Sequence, residues 1–266
     1  METDGRARAK SERILWGKIL MSASIIFPGA TLDRGGIVAR WSERVSIIIP
    51  TKNEAGGIQE VIRDVKPYGD EILVVDGGSR DGTGRLAEEA GARVIYDNGR
   101  GKGAAIQQGI AEATGAILVF IDADGSHDPA TIPILIEPIL HDKADLVVAS
   151  RHRGGSDEWH GDMDNFIRAM GCGILTIVMN YRWNVRVTDV LNGFRAIRRL
   201  VALKLDLRAT DFDIEQHMVA RCLIKDYRVA EVASHEYCRK WGHSKLPTYR
   251  KAYLFFRRLF LDVIGW

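Results

Sequence analysis

The feature that most constrains the fold is a series of short, β-branched, wholly apolar runs, each cut off by a polar or glycine-rich loop. Val45–Pro50 (VSIIIP), Glu71–Asp76 (EILVVD), Ala92–Tyr96, Ala116–Asp122 (AILVFID) and Asp145–Ser150 (DLVVAS) make up the series. Runs without polar alternation suit strands buried on both faces of a parallel sheet. Between them lie segments with helical spacing: Ile58–Lys66, Thr83–Gly91, Gly103–Thr114 and Ala130–His141. This alternation predicts an α/β fold, a Rossmann-like, mostly parallel sheet flanked by helices. In such sheets ligands sit beyond the carboxyl ends of the strands, and every polar loop here falls at such an end. Past residue 151 the pattern loosens. It predicts a helix over about Asn165–Asn180, a loop entering a strand over Thr188–Arg199, and a helix over Phe212–Ile224. A strand over Arg228–Glu236 and a final helix from about Pro247 complete it.

Composition narrows the classes. At 266 residues, 46% hydrophobic and 27% charged, the chain can bury a sizeable core, which excludes disorder and a disulfide-stapled miniprotein. A formal charge of +2 gives no footprint for nucleic acid, and none is expected as a partner. Cys172, Cys222 and Cys238 form no CxxC pair, which predicts buried thiols in a reducing compartment. No run approaches the roughly 20 apolar residues of a membrane span. Ile14–Phe27 is short, interrupted by Lys18 and preceded by Arg6, Arg8, Lys10 and Arg13; it reads as an interfacial or disordered leader rather than a signal peptide. No histidine spacing suits zinc. His127 is expected to face solvent, and Trp159, Trp183 and Trp241 to be core or rim aromatics.

The strongest chemical signal is Asp122-Ala123-Asp124 directly after the run AILVFI. Two carboxylates at a strand end can converge on one hard cation, Mg²⁺ or Mn²⁺, which takes one or two carboxylates plus phosphate oxygens. Read alone, the same triplet is equally a solvated acidic turn. Three neighbouring loops add weight: PTKNEAGG with Asn53 and Glu54, VVDGGSRDGT with Asp76, Ser79 and Asp81, and NGRGKGAA. In the last, GRGKG opens a helix like a phosphate cradle with Lys102 as its charge. No segment fits a P-loop or a GxGxxG fingerprint.

The set VSIIIPTKNEAGG, EILVVDGGSRDGT, GRGKGAAIQQGIAEATGAILVFIDADGSHDP and VVASRH resembles family 2 glycosyltransferases of the GT-A fold. TDVLNGFRAIRR, FDIE and RKWGHSKL make it most similar to the polyprenyl-phosphate glycosyltransferases, the dolichyl-phosphate mannose synthase group. The resemblance covers about Val45 to Leu246. It implies nucleotide-sugar contacts at Pro50, Asn53, Glu54, Asp76, Asp122, Ala123 and Asp124, with Lys102 from the loop reading. It implies a Mg²⁺ or Mn²⁺ site at Asp122 and Asp124, with Ser126 where relatives often have a metal-contacting Gln. Arg151 and Arg168 match residues that hold the acceptor phosphate, and Arg239 and Lys245 a mobile loop over the donor diphosphate. Asp124, Arg151, Arg239 and Lys245 are the expected catalytic set. Gly77 stands where the family commonly has Asp or Asn, which leaves guanine and uracil both open. The implied reaction is inverting transfer of a hexose, foremost mannose from GDP-mannose, to a polyprenyl or dolichyl phosphate. A phosphate acceptor is already anionic near neutral pH, so no general base is assigned; Asp189 and Glu215 are read as structural carboxylates paired with nearby arginines. The alternatives are UDP-glucose or another nucleotide sugar, a non-lipid acceptor, a sugar nucleotidyltransferase and an inactive partner subunit.

A polyprenyl acceptor implies a peripheral enzyme on the cytoplasmic face of a membrane. In Tyr249–Trp266, helical spacing gathers Tyr253, Phe256, Leu259, Phe260, Val263 and Ile264 on one face and Arg250, Lys251, Arg257 and Arg258 on the other. That reads as an interfacial anchor or as a helix packed on the core. The expected organisation is a basic leader (1–44), a glycosyltransferase domain (45–246) and a carboxy-terminal amphipathic helix (247–266).

Overall fold

The computed structural model describes residues 30–32, 38–97, 99–160, 163–242 and 248–265. The leader segment Ile14–Phe27, the side chain of Arg168, and Lys245 lie outside the described residues. The chain divides into two compact units, 1–42 and 43–266. In the first, strands β1 (Ala30–Leu32) and β2 (Val38–Trp41) pair antiparallel.

The second unit is built on a seven-stranded sheet. Its strands are β3 (Val45–Thr51), β4 (Glu71–Asp76), β5 (Arg93–Tyr96), β6 (Ile117–Phe120), β7 (Leu146–Ser150), β8 (Arg195–Arg198) and β9 (Val229–Ala233), in the spatial order β5-β4-β3-β6-β8-β7-β9. All neighbours are parallel except β8, which runs antiparallel between β6 and β7. The apolar runs are strands because helices cover both faces: β3 is buried almost throughout, and β6 and β7 completely.

Helices α1 (Ile58–Val65), α2 (Thr83–Glu89), α3 (Lys102–Glu112) and α4 (Ile132–Leu140) are the crossovers. A short turn of helix, α5 (Arg151–Gly154), leads to the long α6 (Met163–Trp183). Then come α7 (Arg199–Lys204), α8 (Ile214–Ile224) and α9 (Thr248–Val263). Helix α3 seats on β3 and β4 through Gly109, where a Cβ would stand 2.7 Å from Ile48 and 3.3 Å from Val75.

Helix α9 packs with the inverse polarity of a helix seated on a core by its apolar face. Lys251 Nζ lies 2.5 Å from Asp211, Arg258 Nε 3.1 Å from Asp213, and Asp262 2.8 Å from His217 Nδ1. The backbone N–H of Arg208 donates to His217 Nε2, so Nδ1 carries the proton toward Asp262. Gln216 Nε2 donates to the carbonyl of Phe255. Lys251, Arg258 and Asp262 therefore pack inward with Leu259, while Tyr253, Phe256, Phe260 and Ile264 face out with Arg257. Arg258 is buried, not solvated, and Leu259 leaves the exposed face to which the periodicity assigns it. The helix belongs to the same compact unit as the sheet. Among the described residues no helix is long and apolar enough to cross a membrane. Cys172 and Cys222 are buried, whereas Cys238 is exposed, against expectation.

The Gly109 contact gives a direct test of the α3–sheet packing. Gly109→Val is expected to lose about 2 kcal/mol in urea unfolding despite its better helix propensity, because the added carbons meet Ile48 and Val75.

Candidate active site

The loops at the carboxyl edge of the sheet enclose a cavity of about 1030 Å³. Because β8 runs antiparallel, it is its amino end, Asn192–Gly193, that reaches this edge and lines the cavity. Its lining is mixed: the sheet-edge loops contribute Lys52, Asn53, Asp97, Asp122 and Asp124, and α6 and α9 contribute the apolar Ile167, Met170, Ile174, Ala252, Phe255 and Phe256 beside the charged Lys251.

Past the end of β6 the chain turns through Asp122–Ser126. Asp124 is buried. Its Oδ1 accepts from the N–H (3.0 Å) and Oγ–H (2.7 Å) of Ser126, and its Oδ2 lies 3.0 Å from Arg239 Nη2. Ser126 thus orients Asp124 from behind and does not line the cavity. Lys102 Nζ stands between two carboxylates, 2.8 Å from Asp122 Oδ1 and 2.9 Å from Glu215 Oε1. Burial pushes the Asp122 carboxyl up, but the Lys102 ammonium, aided by His127 and Arg239, outweighs it and holds the group below the ordinary carboxylate range. Burial likewise works against the Lys102 charge, and Asp122 and Glu215 overcome it. His127 is buried, not solvent-facing, and packs 5.1 Å from Phe194; desolvation lowers its pKa against the pull of Glu236, Asp122 and Asp124.

The glycines of GRGKG have a reason other than phosphate. A Cβ on Gly103 would fall 2.5 Å from the carbonyl oxygen of Ala209, and Gly101 has φ +118 with Thr210 O equally close. The loop is glycine-rich so that it can lie on the 209–211 backbone, which aims Lys102 at Asp122. The acids of the GGSRDG turn do similar local work. Asp76 Oδ1 accepts from Ser79 N, and Asp81 from Ala55 N and from Thr83 N and Oγ1. Asn53, at φ 52, donates its N–H to Ser79 Oγ and accepts from Arg80 N. Pro50, Asn53, Glu54 and Ala123 line the cavity; Asp76 is buried beside it.

The segment after β9 closes the site. Lys240 N donates to Asp124 O, and Lys240 Nζ lies 3.5 Å from Glu60. Trp241 fills a slot left by two glycines: a Cβ on Gly57 would stand 2.4 Å from its ring, and one on Gly125 2.5 Å. Trp241 thereby clasps the start of α1, the Asp122–Ser126 turn and the Arg239 segment together. Its rim assignment is correct, with this added purpose.

Arg151 follows β7. Its Nε and Nη2 donate to Asp189 at 2.7 and 3.0 Å, and Nη1 reaches Glu236 at 3.5 Å. Asp189 is fully buried and structural, as the sequence suggests; Glu215 pairs with Lys102 rather than an arginine and lines the cavity. Burial raises the Asp189 carboxyl, but Arg151 and its hydrogen bonds bring it down to about 2. Asp97, Asn192 and Glu236 also line the cavity. Of these, only Asp97 carries a sequence signal, an acid directly after a strand as Asp76 is.

Residues 46–205 match the family described as glycosyl transferase family 2. Glycosyltransferase AglJ of Haloferax volcanii is 32% identical over 202 residues, 75% of this chain and 65% of AglJ. The chain spans only 46% of a second relative from that organism, the low-salt glycan biosynthesis hexosyltransferase Agl6, at 29% identity over 70% of this chain. An undecaprenyl-phosphate mannosyltransferase of Micrococcus luteus is 33% identical over 76% of this chain and 87% of its own. Glucosyl-3-phosphoglycerate synthase of Mycobacterium tuberculosis, solved with Mn²⁺, UDP and glucosyl-3-phosphoglycerate, superposes with a TM-score of 0.66 at 24% identity, over 84% of this chain and 80% of that one. The chain belongs to glycosyl transferase family 2 and has the GT-A fold.

Two measurements check this geometry. Gly57→Ala is expected to cost about 1–3 kcal/mol by driving into Trp241, and close to nothing in a Trp241→Ala background. Asp189, with its carboxyl lowered to about 2, contributes stability that is complete above about pH 4 and lost as the pH falls through that lowered value. Asp189→Asn should cost about 3 kcal/mol at neutral pH by removing the buried carboxylate that pairs with Arg151, which keeps only its longer contact to Glu236, and should flatten that acid limb of the unfolding profile.

Proposed function

We propose that the protein transfers a hexose, foremost mannose from GDP-mannose, with inversion to a polyprenyl or dolichyl phosphate at the cytoplasmic face of a membrane. The observation that carries this reading is the mixed lining of the cavity. The charged groups of the sheet-edge loops suit a nucleoside diphosphate and a phosphate, and the apolar side chains of α6 and α9 suit an isoprenoid chain. The likeness to the undecaprenyl-phosphate mannosyltransferase supports the same acceptor class.

The donor set at the end of β6 fits a divalent cation. Asp122 and Asp124 offer hard oxygens, and among the described residues no third His, Cys, Asp or Glu joins them; one or two carboxylates completed by substrate phosphate oxygens is the arrangement Mg²⁺ and Mn²⁺ accept. When bound there, the ion would supply charge neutralisation to the donor diphosphate. Lys102 and Arg239, 2.8 Å and 3.0 Å from the same carboxylates, stand ready to share that charge. Arg151, fixed by Asp189 and Glu236, lines the cavity and with Arg168 holds the acceptor phosphate, while Lys245 joins Arg239 over the donor diphosphate. An acceptor oxygen forms a bond to the anomeric carbon from the face opposite the diphosphate, whose bond to that carbon breaks. The acceptor is already an anion, so this step requires no side-chain base.

A second reading has its own support. The structural likeness to glucosyl-3-phosphoglycerate synthase, solved with UDP and a phosphorylated acceptor, favours UDP-glucose and a small phosphorylated acid. Purified protein with Mg²⁺ or Mn²⁺ is therefore offered radiolabelled GDP-mannose and UDP-glucose, each with a polyprenyl phosphate or 3-phosphoglycerate. Label from GDP-mannose entering the organic phase is the expected result; label confined to a water-soluble product overturns the lipid-acceptor reading. In the active combination, Asp124→Ala should lower kcat by about 100- to 1000-fold with an unchanged circular-dichroism spectrum.

A further inference from the structure

We propose that α6 and α9 together form a single face by which this protein lies on an anionic lipid surface, with the α6 and α9 side of the catalytic cavity opening directly onto it. The inference rests on the polyprenyl-phosphate reading and adds to it the docking surface, of which the sequence marks only α9.

The first observation is the stripe on α6. Met170, Ile174, Ile177, Val178 and Tyr181 are spaced to share one side of the helix, and all are exposed, Ile177 to 68% and Tyr181 to 93%. A helix of a folded domain ordinarily turns such a stripe inward. Here Cys172, Leu175 and Met179 already meet the core on the opposite side. The second observation is the inversion of α9, whose Lys251, Arg258 and Asp262 are tied inward while Tyr253, Phe256, Phe260 and Ile264 point out. The two helices run side by side in the same sense. Arg182, near the end of α6, reaches the carbonyl of Val263, near the end of α9, and the first halves of both helices meet around the cavity.

Continuity with the cavity identifies the occupant. Met170, Ile174 and Phe256 belong at once to the exposed face and to the cavity wall. A chain leaving the cavity along α6 and α9 emerges onto this face, whose chemistry is hydrocarbon below and cationic at its rim. Arg182, Arg186 and Arg257 are exposed there. From Ala169 to Arg186 the chain has no acidic residue, and the single acid of α9, Asp262, is buried. Apolar and aromatic side chains flanked by arginines, with no exposed acid among the described side chains of α9 or of α6 from Ala169 onward, match an anionic headgroup layer over acyl chains.

The test separates docking from catalysis. The full-length protein is sedimented with phosphatidylcholine vesicles and with vesicles containing phosphatidylglycerol, both free of polyprenyl phosphate. Transfer to a short, water-soluble prenyl phosphate is measured in parallel. The expected result is binding to the anionic vesicles that weakens with added salt. Ile177→Glu and Tyr181→Glu, at exposed positions outside the cavity wall, should each lower the bound fraction about tenfold and leave transfer to the short acceptor unchanged. Leu200→Glu, an exposed apolar position on α7, should bind as the unsubstituted protein does. No binding to either vesicle by a protein that still transfers to the short acceptor overturns the docking face and leaves the functional reading standing. So does a dimer in gel filtration that Tyr181→Glu dissociates, which would make the face an interface between two copies. Vesicle binding without transfer to any prenyl phosphate leaves the face and removes the reading on which its purpose rests.

Discussion

The rest of the site depends on how two aspartates at the end of a buried strand are each paired with a cation. Asp122 and Asp124 each meet a cation from a distant part of the chain, Lys102 from the start of α3 and Arg239 from the segment after β9. Burial alone would favour protonated carboxyls; the paired cations reverse that for Asp122. In the function proposed above, the same two cations receive the phosphates of a donor. Charge balance within the protein and charge balance with a substrate therefore draw on one set of residues.

That arrangement is possible because of where the strands end. Parallel β3, β4, β6, β7 and β9 deliver their carboxyl ends to one edge, and the reversed β8 delivers its amino end to the same edge. Arg195, buried at the start of β8, fixes this corner. Its guanidinium donates to the carbonyls of Val190 and Asn192 and, at 2.6 Å, to that of Glu215. The Asp189–Asn192 loop and the start of α8 are thus held at the distance that lets Asp189 brace Arg151 and Glu215 brace Lys102.

Much of this was legible from the chain alone, and the exceptions have physical reasons. Strands buried on both faces write themselves as unbroken apolar runs, so β3, β4, β6 and β7 lie within a residue or two of their expected bounds. Strand β8, Arg195–Arg198, falls where a loop is expected to enter a strand; it reads RAIR rather than as an unbroken apolar run because its arginines satisfy carbonyls and carboxylates that only the tertiary structure brings near. The β1–β2 pair and α7 carried no pattern strong enough to predict. The acids of the GGSRDG turn and the glycines of GRGKG were visible as a cluster. Their local duties, stapling the Asn53–Ala55 loop and lying on the 209–211 backbone, were not. Periodicity divided α9 into two faces but could not say which was inward, since that choice is made by Asp211, Asp213 and His217. Glu236 and Asn192 reach the cavity only through long-range pairing, which no local spacing records.

One cavity is lined both by charged groups of the sheet-edge loops and by apolar side chains of α6 and α9, and in the proposed function a single amphipathic acceptor meets both. The most direct measurement is the KM for a series of prenyl phosphates of increasing length, presented in detergent with a saturating donor. The account predicts that KM falls over the first few isoprene units, as the chain comes to lie along Ile167, Met170, Ile174 and Phe256, and then levels off. A KM independent of chain length, with a small phosphorylated acid used as efficiently, would contradict it.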